Sequence, residues 1–345
     1  MFTKGRDKPM RLWKAIAPVG CLLSLLVVGA PLAGRAQEIA LTRLSFSSGW
    51  DALPAVVALE RGFFAQEGVI VSGLAVSSAE AAINSLAAGS TDMAAVPQRV
   101  FLVMVAANAP VKAVAIGGWG TEMELVAKLG AEIRSVADLK GKKVAVLQGS
   151  ESFPVLIRLL NQAGLNPAEV EIKSMPGSDL TKALGGDAAG AVFETRHFTA
   201  PIVQGGQGTV VMTAEAVTQA IGSIGALPLV VRSEVIEKEP ATVQKVVTAW
   251  VKALKYIEQD PEDSARLLQI FFHRQGVRIA TETALSWVRM AKYNQYVWSP
   301  AAVADAEYNG WALNVGNILK VAPKLAGFVD NRFAEQALKT LGSAP

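Results

Sequence analysis

From Leu41 onward, the sequence alternates short apolar runs of strand character with stretches whose apolar residues recur at helical spacing. A small polar turn separates each strand-like run from the helical stretch that follows it. Regular alternation of this kind predicts a mostly parallel sheet, because parallel strands need a crossover connection that usually contains a helix. In the first part of the chain the predicted strands cover residues 41–46, 69–76, 92–96 and 111–117.

The same order of strand, small polar turn and helix restarts near residue 143. The second group of predicted strands covers residues 143–147, 170–174 and 189–193, and a further strand covers residues 226–231. From Ser233 to the end the pattern is helical. The two groups share this order without sharing sequence, which indicates two α/β lobes rather than an array of repeats.

The first 36 residues have the composition of an export signal. Basic residues precede an apolar run from Ala15 to Ala33, and Gly34 and Ala36 are small residues at the −3 and −1 positions of a cleavage site. We therefore expect cleavage near Ala36 and a periplasmic protein. A retained membrane anchor is the alternative, and the prolines and glycines within the apolar run disfavour it.

Charge and cysteine content narrow the classes of function. Without residues 1–36 the chain has 27 basic and 29 acidic residues, so it offers no excess of basic charge for nucleic acid. The only cysteine of the sequence is Cys21, within the predicted signal. The exported chain is therefore predicted to have neither a disulfide nor thiol chemistry.

The turns after the predicted strands are rich in serine, glycine and glutamine. The carboxyl ends of parallel strands and the amino ends of the following helices meet at one edge of a sheet, where backbone amides are available to a ligand. If two lobes face each other, these turns line one cleft. Helix capping alone is the alternative explanation for any single turn. The predicted ligand-binding residues are Ser48, Gly49, Trp50, Asp51, Ser77, Ser78, Gln98, Trp119, Gln148, Gly149, Ser150, Gly177, Ser178, Phe193 and Glu194.

The sequence lacks the parts of the commoner catalytic sites. Its two histidines, His197 and His273, are far apart and have no metal-ligand spacing. No G-x-S-x-G motif occurs, so Ser47 and Ser48 lack both a nucleophile elbow and an evident base. We predict no catalytic residue, no metal site, no cofactor and no enzymatic activity.

Five blocks of sequence together resemble a known family. They are ALERGFFAQEGV (58–69), INSLAAGSTDMAAVP (83–97), IRSVADLKGKKVAV (133–146), LIRLLNQAGLNPAEVEI (156–172) and SEVIEKEPATVQKVVTAWVKAL (233–254). In this order they are similar to the substrate-binding proteins of bacterial transporters for sulfonates, taurine and nitrate, and to the related binders of thiamine pyrimidine precursors. The turn Phe193-Glu194-Thr195-Arg196 departs from the family, whose members often place a tryptophan or glutamate and then a proline there.

The resemblance implies a type II periplasmic binding fold with two lobes, each a mostly parallel sheet flanked by helices. Lobe one would comprise residues 37–125 and 226–345, and lobe two residues 126–225. The C-terminal helical region would pack back on lobe one.

The resemblance also implies the solute-binding component of an ABC importer. Such a protein closes by a hinge on a small organic molecule, here a sulfonate, nitrate or a related nitrogen or sulfur compound. It is a monomer that delivers the molecule to a permease with a cytoplasmic ATPase. The alternatives are an exported enzyme of the same fold or a ligand-sensing module, and the alternative ligand is a thiamine pyrimidine precursor or another neutral or aromatic solute.

Several acidic residues are predicted at or near helix N-termini, where a carboxylate stabilises the helix dipole. Several carboxylates around one cleft would nevertheless repel a sulfonate or a nitrate, unless the carboxylates point away from the cleft or arginines offset their charge. The charge pattern is therefore a reason to expect something other than a plain anion. The residues concerned are Asp51, Glu80, Glu151, Asp179 and Glu194.

Overall fold

The computed structural model describes residues 41–147, 150–186 and 188–342. The predicted export signal and the predicted ligand-binding residues Gln148 and Gly149 lie outside them. The described residues form two five-stranded sheets with helices packed around them. The strands are β1 Leu41–Ser47, β2 Ile70–Val76, β3 Met93–Ala95, β4 Val111–Ile116, β5 Met123–Lys128, β6 Lys143–Leu147, β7 Glu171–Met175, β8 Ala191–Thr195, β9 Gly208–Met212 and β10 Pro228–Arg232.

Helices follow most of the strands and form most of the C-terminal region. They are α1 Leu53–Glu60, α2 Phe63–Gln66, α3 Ala79–Ala87, α4 Gln98–Ala106, α5 Ser152–Gln162, α6 Gly177–Leu180, α7 Arg196–Gln204, α8 Ala214–Ile221, α9 Ser233–Lys238, α10 Pro240–Gln259, α11 Pro261–Arg274, α12 Thr281–Met290, α13 Pro300–Val315 and α14 Arg332–Thr340. In the described ranges, no helix combines the length and the apolar composition that crossing a membrane requires.

The two sheets share one strand plan. The first has the order β2-β1-β3-β10-β4 and the second the order β7-β6-β8-β5-β9. In each sheet one strand pairs antiparallel with both of its neighbours, and the other strands run parallel to one another. The antiparallel strand is β10 in the first sheet and β5 in the second. The prediction of two α/β lobes with mostly parallel sheets is confirmed. We call the sheet of β1–β4 and β10 with its helices the first lobe, and that of β5–β9 the second.

Each sheet is covered by apolar side chains on both faces, as expected for a largely parallel sheet. Along β3, Met93 and Ala95 belong to one apolar cluster and Ala94 to another. In the second lobe, Leu125 and Val126 of β5 divide between two clusters in the same way. Neighbouring residues of a strand point to opposite faces, so each sheet has a core on either side.

Two segments connect the lobes, residues 117–122 before β5 and residues 222–227 before β10. They pair through hydrogen bonds from the Gly117 amide to the Leu227 carbonyl at 2.6 Å and from the Leu227 amide to the Gly118 carbonyl at 2.9 Å. A Cβ atom on Gly225 would lie 2.3 Å from the Gly120 carbonyl oxygen. The two connections are therefore in contact at a point that has no room for a side chain.

Strand β5 spans the predicted limit of lobe one at residue 125, and the exact lobe limits stay a prediction. The C-terminal helices were expected to pack on lobe one, but α13 contacts both lobes. Its Asn309 donates to Gln98 of α4 at 2.8 Å, and its Asp305 pairs with Arg158 of α5 at 2.8 Å. Helix α13 thus packs across the two connections instead of on the first lobe alone.

Candidate ligand-binding cleft

A cavity lies between the two lobes, next to the connections. It has an open volume of about 710 Å³, including its mouth. The first lobe contributes the turn after β1 and the start of α4, and the second contributes Met123, Glu151 and Thr195. The complete lining is Ser47, Trp50, Asp51, Pro97, Gln98, Gly120, Thr121, Met123, Glu151, Thr195, Gly225, Ala226 and Leu227.

A second, smaller pocket of about 460 Å³ adjoins the cavity and shares Ser47 and Pro97 with it. Its wall includes Ser77 and Ser78, which precede α3, and Arg99 in the first turn of α4. The side chain of Ser78 accepts a hydrogen bond from the Ala81 amide at 3.1 Å and caps α3. Two helices of the first lobe therefore begin at this pocket.

The turn after β1 is held together by its own polar groups. The Gly49 amide donates to Ser47 Oγ at 2.9 Å, and the Ser48 amide donates to the Val76 carbonyl of the neighbouring strand at 3.0 Å. A Cβ atom on Gly49 would lie 2.7 Å from Asp51 Oδ1, so a glycine allows this carboxylate to fold back over the turn. The local sequence thus positions Trp50 and Asp51 on the cavity wall.

Asp51 lies in the first turn of a short 3₁₀ helix and does not cap it. Residues Trp50–Ala52 form a 3₁₀ turn and α1 begins at Leu53, with no side-chain cap at either start. Burial raises the pKa of the Asp51 carboxyl, while hydrogen bonds from the Ser47 side chain and from its own amide act in the opposite direction. The turn therefore holds a half-buried carboxyl group at the cavity.

Glu151 reaches from the second lobe to the first. Its Oε1 accepts a hydrogen bond from the Arg99 backbone amide at 3.0 Å, at the start of α4. Burial raises the pKa of Glu151, the charges of Asp51 and Glu194 raise it further, and the charge and the amide of Arg99 counteract the shift. A carboxylate of one lobe thus occupies the amino end of a helix of the other.

Glu194 is buried in the second lobe and is fully engaged there. It accepts hydrogen bonds from Ser152 Oγ at 2.6 Å, from Ser150 Oγ at 3.0 Å and from the Leu147 amide at 3.2 Å. The hydroxyls of Ser150 and Ser152 also contact each other. This network fixes the turn that carries Glu151.

Two further carboxyl groups lie near the first connection. Burial raises the pKa of Glu122, against a hydrogen bond from the Trp287 side chain and the charge of Arg196, and with added repulsion from Asp51 and Glu124. Glu124 accepts from Thr199 Oγ1 at 2.5 Å and from Arg196 Nε at 3.3 Å. Neither carboxyl group lines the cavity, although the charge of Asp51 acts on Glu122.

The structure places the predicted residues in three groups. Trp50, Asp51 and Gln98 line the cavity, and Ser77 and Ser78 line the adjoining pocket. Two more residues, Ser48 and Gly49, belong to the turn that carries Trp50 and Asp51. Five others line neither space, and their contact with a ligand stays a prediction: Trp119, Ser150, Gly177, Ser178 and Glu194.

Phe193 lies elsewhere than expected for a clear reason. Its side chain is fully buried in the core of the second lobe. The predicted strand ended at residue 193, whereas β8 continues to Thr195. Because the strand is two residues longer, Thr195 is the residue that reaches the cavity.

Several lining residues were not among the predicted ones. Thr121 and Leu227 lie on the lobe connections, whose position no local pattern indicates. Ser47 and Glu151 belong to turns that were predicted, and the polarity of those turns could have indicated them. Within the described ranges no group of three or more histidine, cysteine, aspartate or glutamate side chains has the arrangement of a metal site.

Two lobes with this strand plan, joined by two connections beside a cavity, define the architecture of the two-lobed periplasmic binding proteins. The family model described as "NMT1/THI5 like" matches residues 50–264, and the chain belongs to that family. The resemblance seen in the sequence and the type II fold are confirmed.

Individual relatives and solved structures agree with this assignment. A protein of Brucella abortus named "Putative binding protein" is 23% identical over 322 residues, which cover 89% of this chain and 93% of that protein. The crystal structure of the periplasmic aliphatic sulphonate binding protein SsuA from Escherichia coli superposes with a TM-score of 0.68 at 17% identity, over 84% of this chain and 96% of that one.

An enzyme has the same fold. A mutant of the desulfurization enzyme DSZB, in complex with biphenyl-2-sulfinic acid, superposes with a TM-score of 0.60 at 14% identity. The match covers 87% of this chain and 99% of that one. The fold alone therefore does not distinguish binding from catalysis.

Proposed function

We propose that this protein is the solute-binding component of an ABC importer and that it holds a small organic molecule in the cavity between its lobes. The observation that carries this proposal is the lining of the cavity, which combines Trp50 and Asp51 of one lobe with Met123, Glu151 and Thr195 of the other. A molecule in this position contacts both lobes only when they are together. It therefore stabilises the closed form relative to the open one.

The names of the relatives support the same class of function. The Brucella abortus relative is named a "Putative binding protein", and the Escherichia coli structure is that of a periplasmic sulphonate binding protein. We accordingly propose that the chain acts in the periplasm as a monomer, after export directed by residues 1–36, and that it delivers its solute to a membrane permease driven by a cytoplasmic ATPase.

We further propose that the solute leaves the protein chemically unchanged. Residues 37–345 contain no cysteine, and Ser47 at the cavity has no histidine in the lining to act as its base. The nearest hydroxyl groups are engaged by the turn itself, since Ser47 donates to Asp51 and accepts from the Gly49 amide.

Native mass spectrometry of the exported protein tests the proposal. After gentle purification we expect one bound small molecule per chain, released on unfolding with its mass unchanged. The same molecule, added back to protein that was unfolded, stripped and refolded, should raise the melting temperature in a saturable manner, by RT ln(1 + [L]/Kd) in free energy. Conversion of the molecule to a product during incubation would contradict the proposal and indicate an enzyme.

A further inference from the structure

We infer that the cavity binds a positively charged group of its ligand between Asp51 of the first lobe and Glu151 of the second. The inference rests on the proposed function, because it names the charge of the solute that the same cleft takes. Both residues line one cavity and belong to opposite lobes. A cationic group between them attracts both carboxylates at once and thereby links binding to closure.

Asp51 is the first reason for this assignment. Its hydrogen bonds come from the Ser47 side chain and from its own amide, and in the described part of the chain no basic side chain lowers its pKa. A half-buried carboxylate without a counter-ion loses part of its hydration on folding and destabilises the folded protein. A cationic ligand group would supply the missing counter-ion.

The basic residues around the cavity do not balance its acids. Arg99 acts on Glu151, and Arg196 is paired with Glu124 at 3.3 Å and with Glu215 at 3.6 Å. Asp51 meanwhile repels both Glu151 and Glu122, since its charge raises the pKa of each. The lining of the cavity thus contains two carboxyl groups and no basic side chain, a composition that favours a cation over a sulfonate or a nitrate.

Tyr293 lies near the same carboxylate, in the core of the first lobe, and does not line the cavity. The residue is only 2% exposed, its hydroxyl has no hydrogen-bond partner among the described residues, and Asp51 is close enough for its charge to raise the tyrosine pKa. A buried hydroxyl without a partner is costly in a folded protein. The tyrosine therefore gives Asp51 neither a positive charge nor a hydrogen bond, and the counter-ion of Asp51 is left to the ligand.

The cavity also has a place for the apolar part of such a ligand. Trp50, Met123 and Leu227 lie on its wall together with the two carboxyl groups. An indole face attracts cations and stacks on flat rings. The chemical class that fits is therefore a small organic cation, such as a protonated amine or a protonated nitrogen heterocycle on an apolar or aromatic body.

Three probes that share an apolar body and differ in the charge of their head group test the inference. Benzylammonium, benzyl alcohol and phenylmethanesulfonate share the benzyl group and carry a positive, neutral and negative head at pH 7.5. In calorimetric titrations of the exported, stripped and refolded chain, we expect benzylammonium to bind at least about tenfold more tightly than the alcohol. The sulfonate should bind more weakly than either.

Asp51→Asn and Glu151→Gln should each remove the preference for benzylammonium over benzyl alcohol and leave the circular dichroism spectrum unchanged. Glu282→Gln is the charge-matched control, because Glu282 is exposed on α12 and does not line the cavity. This control should keep the full preference.

The outcomes separate the two proposals. Tight binding of phenylmethanesulfonate in the cleft would overturn the cationic assignment and leave the solute-binding function intact. A cation preference that survives Asp51→Asn and Glu151→Gln would also overturn it. If none of the three probes binds, the cationic assignment fails, and the solute-binding function fails with it only if native mass spectrometry also finds no retained molecule.

Discussion

Glu151 of the second lobe accepts a hydrogen bond from the backbone amide of Arg99 in the first lobe, with 3.0 Å between Oε1 and the nitrogen. This bond crosses the cleft at the position where the amino end of α4 would otherwise face solvent or a ligand. It therefore links the two lobes directly, in addition to any ligand between them.

Removing this link should favour the open form of the ligand-free protein. Glu151→Ala loses a hydrogen bond to a charged group, which contributes about 1.5–3 kcal/mol in proteins. We expect small-angle X-ray scattering to give a larger radius of gyration for the stripped variant than for the wild type. Glu151→Gln keeps an oxygen acceptor and should scatter like the wild type, and equal radii for the alanine and glutamine variants would contradict the role of the bond.

Asp51 should reduce the stability of the folded protein at neutral and alkaline pH. Burial raises its pKa, so the folded state binds more protons than the unfolded state between the ordinary pKa and the raised one, and stability falls as pH rises through that window. Asp51→Asn removes the half-buried charge and should raise the free energy of unfolding at pH 8 by about 0.5–2 kcal/mol.

The pH dependence distinguishes this effect from a packing change. The difference between Asp51→Asn and the wild type should shrink as the pH falls towards 4, because the wild-type carboxyl becomes protonated. The titratable groups acting with Asp51 are Glu122, Glu151 and Tyr293. Urea unfolding at several pH values measures the difference, and a variant less stable than the wild type at pH 8 would contradict the assignment.

Contact between the two lobe connections should be sensitive to a single methyl group. Gly225→Ala places a Cβ atom 2.3 Å from the Gly120 carbonyl oxygen, so the connections must move apart. We expect thermal unfolding to show a loss of about 1–3 kcal/mol. Gly186→Ala is the matched control, since its Cβ would meet no atom within 4 Å, and equal stability of the two variants would disprove the close contact.

Trp50 should contribute to ligand affinity through the part of its indole that faces the cavity, while the rest packs against the core of the first lobe. Its indole is partly exposed at the cavity wall. Trp50→Ala should weaken binding of the co-purified solute by about tenfold or more and leave far-ultraviolet circular dichroism unchanged. Trp311→Ala, at an exposed position of α13, should bind like the wild type. Equal affinities in both variants would place the ligand elsewhere.

Much of the fold could be predicted because strand and helix periodicities are local. The predicted strand over residues 143–147 coincides with β6, and the turn after residue 46 was correctly expected between β1 and a helix. Strand β5 was not predicted: it follows the first connection without a helix before it and pairs antiparallel between β8 and β9. Its membership of the second sheet depends on distant residues.

The site was less predictable than the fold because its side chains depend on strand ends and on the meeting of two lobes. A two-residue error at the end of β8 exchanged Thr195 for Phe193. Glu151 looked like a residue that stabilises its own helix, whereas it contacts the Arg99 amide of the other lobe. Contacts between lobes leave no periodic trace in the sequence.

Closure of the lobes on a bound solute is the central claim, and a distance between spin labels on the two lobes measures it directly. Residues 37–345 contain no cysteine, so labels can be attached at Asn84→Cys in α3 and Asp179→Cys in α6, both exposed positions. Pulsed electron paramagnetic resonance should show a shorter mean distance and a narrower distribution when the co-purified solute is added to the stripped protein. Identical distributions with and without bound solute would contradict closure.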